Sequence, residues 1–385
     1  MRLSRRVDWH RQRNSIARAV QERRERRLPL IDLTVSNPTA VGLRWPESWS
    51  FELARGSREP YDPDPRGLLR AREALAEWLG NRGAEAVSAE ELLLTSSTSE
   101  AYSWILKILC DSGDRIIRFT PTYPLLDHLC TLESVELEDV PLERTGEGWM
   151  IGVRRELVGE VRGAIVVHPN NPTGHLTSPG DVRTLSRQLT RSGGALIADE
   201  VFFEFGPGGA RRIASDADCL TFSLGGLSKS AALPHWKLGW IRVTGPDDAK
   251  KDAIAALELV ADTFLPVSAA IQHALPSILE STDQIRDAIH ARVRSNLETI
   301  DRAIADLPAI RRDPYEGGWS GVLRVPIFED EEHLVVDLVD RGVLVHPGFF
   351  YDFPNEGWIV VSLIVPNETM ESGIAVIREY FEGRW

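Results

Sequence analysis

The stretch CLTFSLGGLSK, residues 219–229, sets an apolar run, two glycines and a lysine in a row, and what surrounds that lysine decides how the chain is read. A short apolar run bounded by turn residues predicts a buried strand over 219–224, with Lys229 delivered just past it by a Gly-Gly turn. Lysine is rare here: Lys107, Lys229, Lys237, Lys250 and Lys251 are the only five among 44 lysines and arginines. Where arginine serves nearly every need for positive charge, a lysine marks chemistry that arginine cannot perform. A desolvated lysine loses its proton readily, and its neutral amine forms imines with aldehydes.

Similar runs flank it: "ELLLTS" at 91–96, "RIIRF" at 115–119, "GAIVVH" at 163–168, "GALIAD" at 194–199 and "WIRVTG" at 240–245. Helical patterns intervene, among them "SEAYSWILKILCD" and "SPGDVRTLSRQLTRS", the second with Ser178 as N-cap and Pro179 as first helical residue. Strands alternating with helices predict an α/β fold, a mostly parallel sheet with helices on both faces. Further on come a long polar helix at 285–307, "GGWSGVLRVP", the helix "DEEHLVVDLVDRG", strands "VLVHP" and "GWIVVSLIV", and a closing helix. That order predicts a smaller α+β domain. The expected division is an N-terminal arm over 1–45 joining the small domain, a large domain over 46–265 and a small domain over 266–385.

At 385 residues, 43% hydrophobic and 26% charged, the chain has the size and balance of a soluble two-domain protein. No apolar run approaches the roughly 18 residues of a membrane span, so no membrane partner is expected. A net charge of -13 argues against nucleic acid. The arginine-rich residues 1–28 contain Asp8, Glu22 and Glu25 and lack the apolar core of a secretory signal. They read as an amphipathic helix docked on the protein body, with a mitochondrial presequence as the alternative. Cys110, Cys130 and Cys219 are scattered, without metal-ligand spacing, as expected for free thiols in a reducing cytoplasm and a protein without a metal site.

Open parallel sheets bind ligands beyond the carboxyl ends of their strands. After the first strand, "TSSTSEAY" opens a helix on Ser97, Thr98 and Ser99, whose hydroxyls and N–H groups can cradle a phosphate; a plain helix cap explains the same segment. "TPTYP" holds Tyr123 between two prolines, as a ring platform or as packing. "HPNNPTG" carries Asn170 and Asn171 on a turn. "ADEVFF" sets Asp199 at a dry strand end, where a carboxylate needs a cationic ligand nitrogen or a structural arginine. With Lys229, these groups supply what pyridoxal 5'-phosphate requires: a phosphate cup, a stacking ring, a hydrogen-bonding asparagine, a buried carboxylate and an imine-forming lysine.

With these residues in order, the chain resembles a fold-type I pyridoxal-phosphate enzyme of the class I/II aminotransferase family, from "IDLTVSNPT" at Ile31 to the final helix. The resemblance implies that Lys229 forms the covalent imine with the cofactor, Asp199 pairs with its pyridine nitrogen, Asn171 bonds its phenolic oxygen and Tyr123 stacks on its ring. Ser97, Thr98 and Ser99 match the phosphate loop, and Tyr61 matches a tyrosine that reaches the phosphate of the neighbouring subunit. A homodimer with shared active sites follows, as does amino-group exchange between an amino donor and a keto acceptor. Released from the cofactor, Lys229 becomes the base that moves the proton at the substrate's Cα.

Four departures stand out. Lys237 occupies the place of an arginine that clamps the phosphate, a point charge in place of a fork. Gly226 and His235 stand where a phosphate-binding serine and a small residue are usual, which shifts phosphate contacts toward Ser228 and residues 97–99. Phe202 replaces a tyrosine that donates to the phenolic oxygen. Val360, in "GWIVVSLIVP", stands where the family pattern has the arginine that grips the substrate's α-carboxylate, and no lysine or arginine lies between Arg341 and Arg378. Arg324 is the expected replacement, with Asn37, Phe202 and Trp319 as further substrate contacts; the competing version makes Phe202, Trp319 and Val360 an apolar wall. A β-eliminating lyase, a decarboxylase and a non-catalytic ligand-binding homologue are the alternative functions. A dinucleotide-binding dehydrogenase fails for want of a glycine-rich fingerprint after the early strands.

Overall fold

Seven strands make the large sheet of this computed structural model, which describes Ser4, Arg6 and residues 14–83, 86–146, 148–152 and 160–384. In chain order they are β1 (Leu92–Thr95), β2 (Arg115–Thr120), β3 (Glu136–Pro141), β4 (Gly163–Val167), β5 (Ala195–Asp199), β6 (Thr221–Gly226) and β7 (Gly239–Thr244). Their spatial order is β1-β7-β6-β5-β4-β2-β3, and all pairs are parallel except those made by β7. Strands β4, β5 and β6 are buried at every residue, which is why they read as unbroken apolar runs rather than as alternation.

Both faces of the sheet are covered. Ile116, Ile165 and Ile197 pack on the helices Thr98–Leu109 and Asp247–Phe264. Residues one step along, Ile117, Ala164 and Leu196, pack against the helix Pro179–Ser192, and Val322 and Val360 of the second sheet join the same cluster. The cap of that helix is as expected, with Ser178 Oγ accepting from Asp181 N at 3.1 Å.

The six expected strands form within two residues of their predicted bounds; the one predicted at 219–224 lies at 221–226. The seventh, β3, was missed because its sequence, ELEDVP, is polar, as suits an edge strand whose side chains are half-exposed or exposed.

The second sheet is antiparallel, in the order Arg311–Arg312, Ser320–Arg324, Trp358–Ser362, His346–Pro347. The strand expected over 343–347 is split. Val343–Leu344 pairs in parallel with Ile31–Asp32, and His346–Pro347 turns to join Trp358–Ser362. The N-terminal segment is further tied to this sheet by Ser362 N, which donates to the Leu33 carbonyl at 2.7 Å.

Within the arginine-rich stretch a helix runs from Ser15 to Glu25 and docks on the helix Glu331–Arg341, burying Ile16. Arg23 anchors its end through the carbonyls of Pro29 and Asp340. Of residues 1–13, those other than Ser4 and Arg6 lie outside the described residues. Among the described residues no helix is long and apolar enough to cross a membrane.

Candidate functional site

Three strand ends converge around Lys229, and glycine makes the convergence possible. Gly239, opening β7, pairs with Gly226 on one side and Thr95 on the other. A Cβ there would lie 3.0 Å from Thr95 Oγ1 and 3.1 Å from the Ser97 carbonyl carbon. At Gly225 it would lie 2.5 Å from the Trp240 ring. The Gly-Gly pair is therefore not the expected turn. It is the extended end of β6, kept free of side chains by Trp240 and by the close passage of β7. Gly226 is also crowded, with the Leu238 carbonyl 3.2 Å from any added Cβ, so a serine would fit tightly.

Beyond β1, Ser97 caps the helix Thr98–Leu109, its Oγ accepting from Glu100 N at 3.2 Å. Glu100 reaches back to Ser96, accepting from its N at 2.6 Å and its Oγ at 2.8 Å. This reciprocal cap fixes the loop and leaves first-turn N–H groups, at Thr98 and Ser99, that no helical carbonyl can reach.

Lys229 follows β6 on the single turn Leu227–Ser230. Its Nζ lies 4.9 Å from the ring centre of Trp319 and 5.3 Å from that of Phe202, and the two rings meet edge to face at 5.5 Å. Enclosure by these walls lowers its pKa to about 8, with Asp199 pulling the other way. Ser228, beside it, is half-buried.

Asp199 ends β5 and is buried. Burial raises its pKa to about 6, against the hydrogen bonds it accepts from Val201 N at 3.2 Å and Tyr102 OH at 3.0 Å. The arginine that a buried carboxylate calls for is present one residue along. Arg212 Nη1 lies 2.9 Å from Glu200 Oε2, and its Nη2 3.0 Å from Glu204 Oε1. Asp199 is thus held by a neutral phenol and an amide, a setting that favours a cationic ligand nitrogen.

Tyr123 sits on its proline-bounded turn, 38% exposed, and its hydroxyl pKa is raised by burial and by the nearby Asp199. Two sets of bonds hold that turn. Asn170 Nδ2 donates to the Pro121 carbonyl at 2.9 Å, and Thr122 N donates to the Tyr351 carbonyl at 2.9 Å. Behind it Arg118, buried on β2, bonds Asp127, Asp139 and Asp352 at 2.6, 2.7 and 3.0 Å, joining the helix after Tyr123 to the segment around Tyr351. Asn171 Oδ1 accepts from Ser320 Oγ at 3.2 Å, which orients its Nδ2 as the free donor end.

Lys229, Asp199, Phe202 and Trp319 are thus linked by direct contact or electrostatic coupling, with Asn171 bonded to Ser320, the residue after Trp319, Tyr123 coupled to Asp199 and Ser97 against Gly239. Lys237 is exposed, in a left-handed conformation at φ 54, two residues before Gly239. Tyr61 is 63% exposed, and Asn37 caps its own turn by accepting from Thr39 N at 3.0 Å. Arg324 is not brought to the lysine. It occupies the end of its strand away from Ser320, exposed, its guanidinium 5.7 Å over the Trp358 ring. Four residues of strand, roughly 13 Å, separate it from Ser320.

Tyr102 and Ser320 escaped the sequence reading. Tyr102 stands one helical turn beyond Thr98, at a spacing that turns it under the sheet, but nothing in a run of helix-forming residues says that its hydroxyl meets Asp199.

An α/β sheet that brings an enclosed lysine, a buried carboxylate and a capped helix terminus to one edge defines a protein that holds an aldehyde cofactor. The chain belongs to the family "Aminotransferase class I and II", whose profile it matches over residues 31–377. Its members use pyridoxal 5'-phosphate, and this chain is a pyridoxal-phosphate-dependent aminotransferase. It is 24% identical over 339 residues to the glutamate-pyruvate aminotransferase of Escherichia coli, covering 84% of each chain. To an LL-diaminopimelate aminotransferase of Dehalococcoides mccartyi it is 25% identical, covering 95% of each. The solved structure of alanine aminotransferase from Pyrococcus furiosus shares its fold at a TM-score of 0.90, with 19% identity over 99% of this chain and 100% of that one.

Proposed function

We propose that Lys229 is the residue that binds the cofactor covalently and that Asp199 holds its pyridine nitrogen. The observation that carries this reading is the pairing of an enclosed amine with a buried carboxylate that has no arginine of its own. Bound there, pyridoxal 5'-phosphate supplies an aldehyde for the link and a ring that accepts electrons from the substrate's Cα. The residues present fit it. The N–H groups of Thr98 and Ser99, with Ser97 and Ser228, would hold the phosphate; Asn171 Nδ2 would donate to the phenolic oxygen; Tyr123 would cover the ring. Phe202 gives the phenolic oxygen no second donor. Once displaced by the substrate amine, Lys229 takes and returns the Cα proton, and its depressed pKa keeps a useful fraction unprotonated near neutral pH. Borohydride reduction followed by peptide mapping tests the assignment. The cofactor is expected on the peptide containing Lys229, and a label on Lys107, Lys250 or Lys251 would sink it.

The amino donor and keto acceptor are small molecules, and the proposed divisions at about residues 45 and 265 separate an N-terminal arm, a cofactor-holding large domain and a small domain. The cytoplasm is the proposed compartment, supported by free Cys110, Cys130 and Cys219. A homodimer is supported by exposed apolar side chains at Phe51, Tyr61, Leu69, Leu259, Phe264 and Leu265, and Tyr61 is the residue that reaches the partner's phosphate. Sedimentation at micromolar concentration should give twice the 43.0 kDa of the chain.

Lys237 is assigned to the phosphate because it stands two residues before Gly239, which passes against Ser97. Lys237→Ala should weaken cofactor binding by about 1.5–3 kcal/mol, the range for a hydrogen bond to a charged group. Lys237→Gly controls for the backbone: it suits the left-handed conformation and should lose the same affinity. Unchanged cofactor affinity in both would return Lys237 to the solvent.

Arg324→Ala, by contrast, should leave kcat/KM for every substrate within about twofold and cost less than about 1 kcal/mol of stability, the worth of an exposed cation over a ring. A tenfold loss of kcat/KM confined to carboxylate substrates would restore it as their anchor.

A further inference from the structure

The face of the small sheet beside Lys229 carries its side chains in rows. Ser320 pairs with Ser362, Val322 with Val360, and Arg324 with Trp358, while His346 flanks Val360 from the other side. Residues directly opposite share a face, and alternate residues along a strand return to it. The Ser320 row is the one nearest the lysine, since Ser320 Oγ donates to Asn171 and the preceding Trp319 has its ring 4.9 Å from Lys229 Nζ.

The next row is neutral. Val322 and Val360 are buried, and burial lowers the pKa of His346, against Asp32, which favours the neutral form of its ring, 2.9 Å from Tyr351 OH. The arginines on this face, Arg324 over Trp358 and Arg311 opposite it, both lie in the third row. A carboxylate brought against the first row therefore meets no cation from this sheet, and an ionised carboxylate removed from water without one costs several kcal/mol.

What the row does offer is unspent hydrogen bonding. Trp319 Nε1 and Ser362 Oγ are both buried without a partner, on residues only 2% and 5% exposed. They lie at the same end of the sheet, where Leu363 N donates to the Trp319 carbonyl at 2.7 Å, and they leave opposite faces, Ser362 with Ser320 and Val360, Trp319 with Leu363. On the Val360 face that leaves one unspent neutral donor, the Ser362 hydroxyl, beside an apolar row, a match for a neutral acceptor. Given the reading of Lys229 above, on which this rests, we propose that the amine substrate presents a neutral hydrogen-bonding group, such as a carboxamide, where an α-amino acid carries its carboxylate. Ser362 is its donor, and Val360 sets the preference.

The test uses the holoenzyme and a matched pair, 2-aminoisobutyramide and 2-aminoisobutyrate. Neither has a hydrogen on Cα, so both report recognition at Lys229 without amino-group transfer, read as a shift in the visible absorbance of the bound cofactor. With each Kd referred to the free-base amine, the amide should bind about tenfold more tightly, the scale of one buried hydrogen bond. Ser362→Ala should remove about fivefold of the amide's affinity and leave the carboxylate unchanged, and Val360→Arg should reverse the preference. Equal or tighter binding of the carboxylate to the unaltered enzyme overturns the proposal, and so does silence from both compounds. Borohydride labelling separates this from the underlying reading: a label on Lys229 with the wrong preference defeats only the substrate class, and a label elsewhere defeats the site.

Discussion

Lys229→Ala should abolish transamination, lowering kcat by at least about 10³-fold, while the protein still folds and takes up cofactor. Two losses combine. The covalent hold disappears, and so does the base at Cα, a role worth about 10²–10⁴ alone. The fold should survive because Lys229 contributes its stem between Phe202 and Trp319 while its ammonium is disfavoured there, as its pKa of about 8 shows. Removing that group relieves desolvation and leaves a small apolar gap. Cofactor should bind reversibly through the helix terminus, Asn171 and Asp199, and dialyse away where the parent enzyme retains it. Added methylamine, entering the vacated space, should restore a measurable part of the rate. Kinetics within about tenfold of the parent would remove Lys229 from the chemistry, whatever the absorbance spectrum showed.

The fold was legible because the central strands are buried on both faces. Apolar runs such as GALIAD and GAIVVH can hardly be anything else between helices of ordinary amphipathic pattern. Where a strand needs no such run it vanished from view, as β3 did at the edge. The split of 343–347 was equally hidden, because the direction in which Pro347 leaves the first pairing is set by partners 300 residues away at Ile31 and nearby at Ile359. The ligand-facing residues could be listed from strand ends, since topology puts them there. Their hydrogen-bond partners could not, and those partners set the chemistry. Tyr102 under Asp199 and Ser320 behind Asn171 come from elements whose crossing geometry no local pattern encodes. Arg324 failed for a related reason. Membership of the right strand says nothing about which end of it faces the lysine, and at about 3.3 Å per residue four positions are decisive.

Asp199→Asn should move the apoprotein and the holoenzyme in opposite directions. In the apoprotein the carboxyl has a pKa raised from 3.8 to about 6 by burial, so the folded state holds its proton more tightly than the unfolded chain. Below about pH 4 both states are protonated and the group has no differential effect. Between pH 4 and 6 the unfolded chain ionises first and stability falls; above pH 6 both are ionised and the deficit is constant. Its size is about 3 kcal/mol at 1.36 kcal/mol per pKa unit. An asparagine never ionises, its Oδ1 can accept from Val201 N and its Nδ2 can donate to the Tyr102 hydroxyl oxygen, so apo Asp199→Asn should be more stable than the parent in urea at pH 8 and equal to it at pH 4. In the holoenzyme the same charge is what the pyridine nitrogen needs. The substitution should cost about 10²–10³ in kcat, the scale for removing one preorganised electrostatic partner, and should weaken cofactor affinity as well. A merely structural aspartate would give the reverse pattern, an apoprotein that is destabilised and a turnover that is unchanged. Gain in the apo state with loss in the holo state is therefore the signature that Asp199 is kept, at a cost to folding, for the ligand.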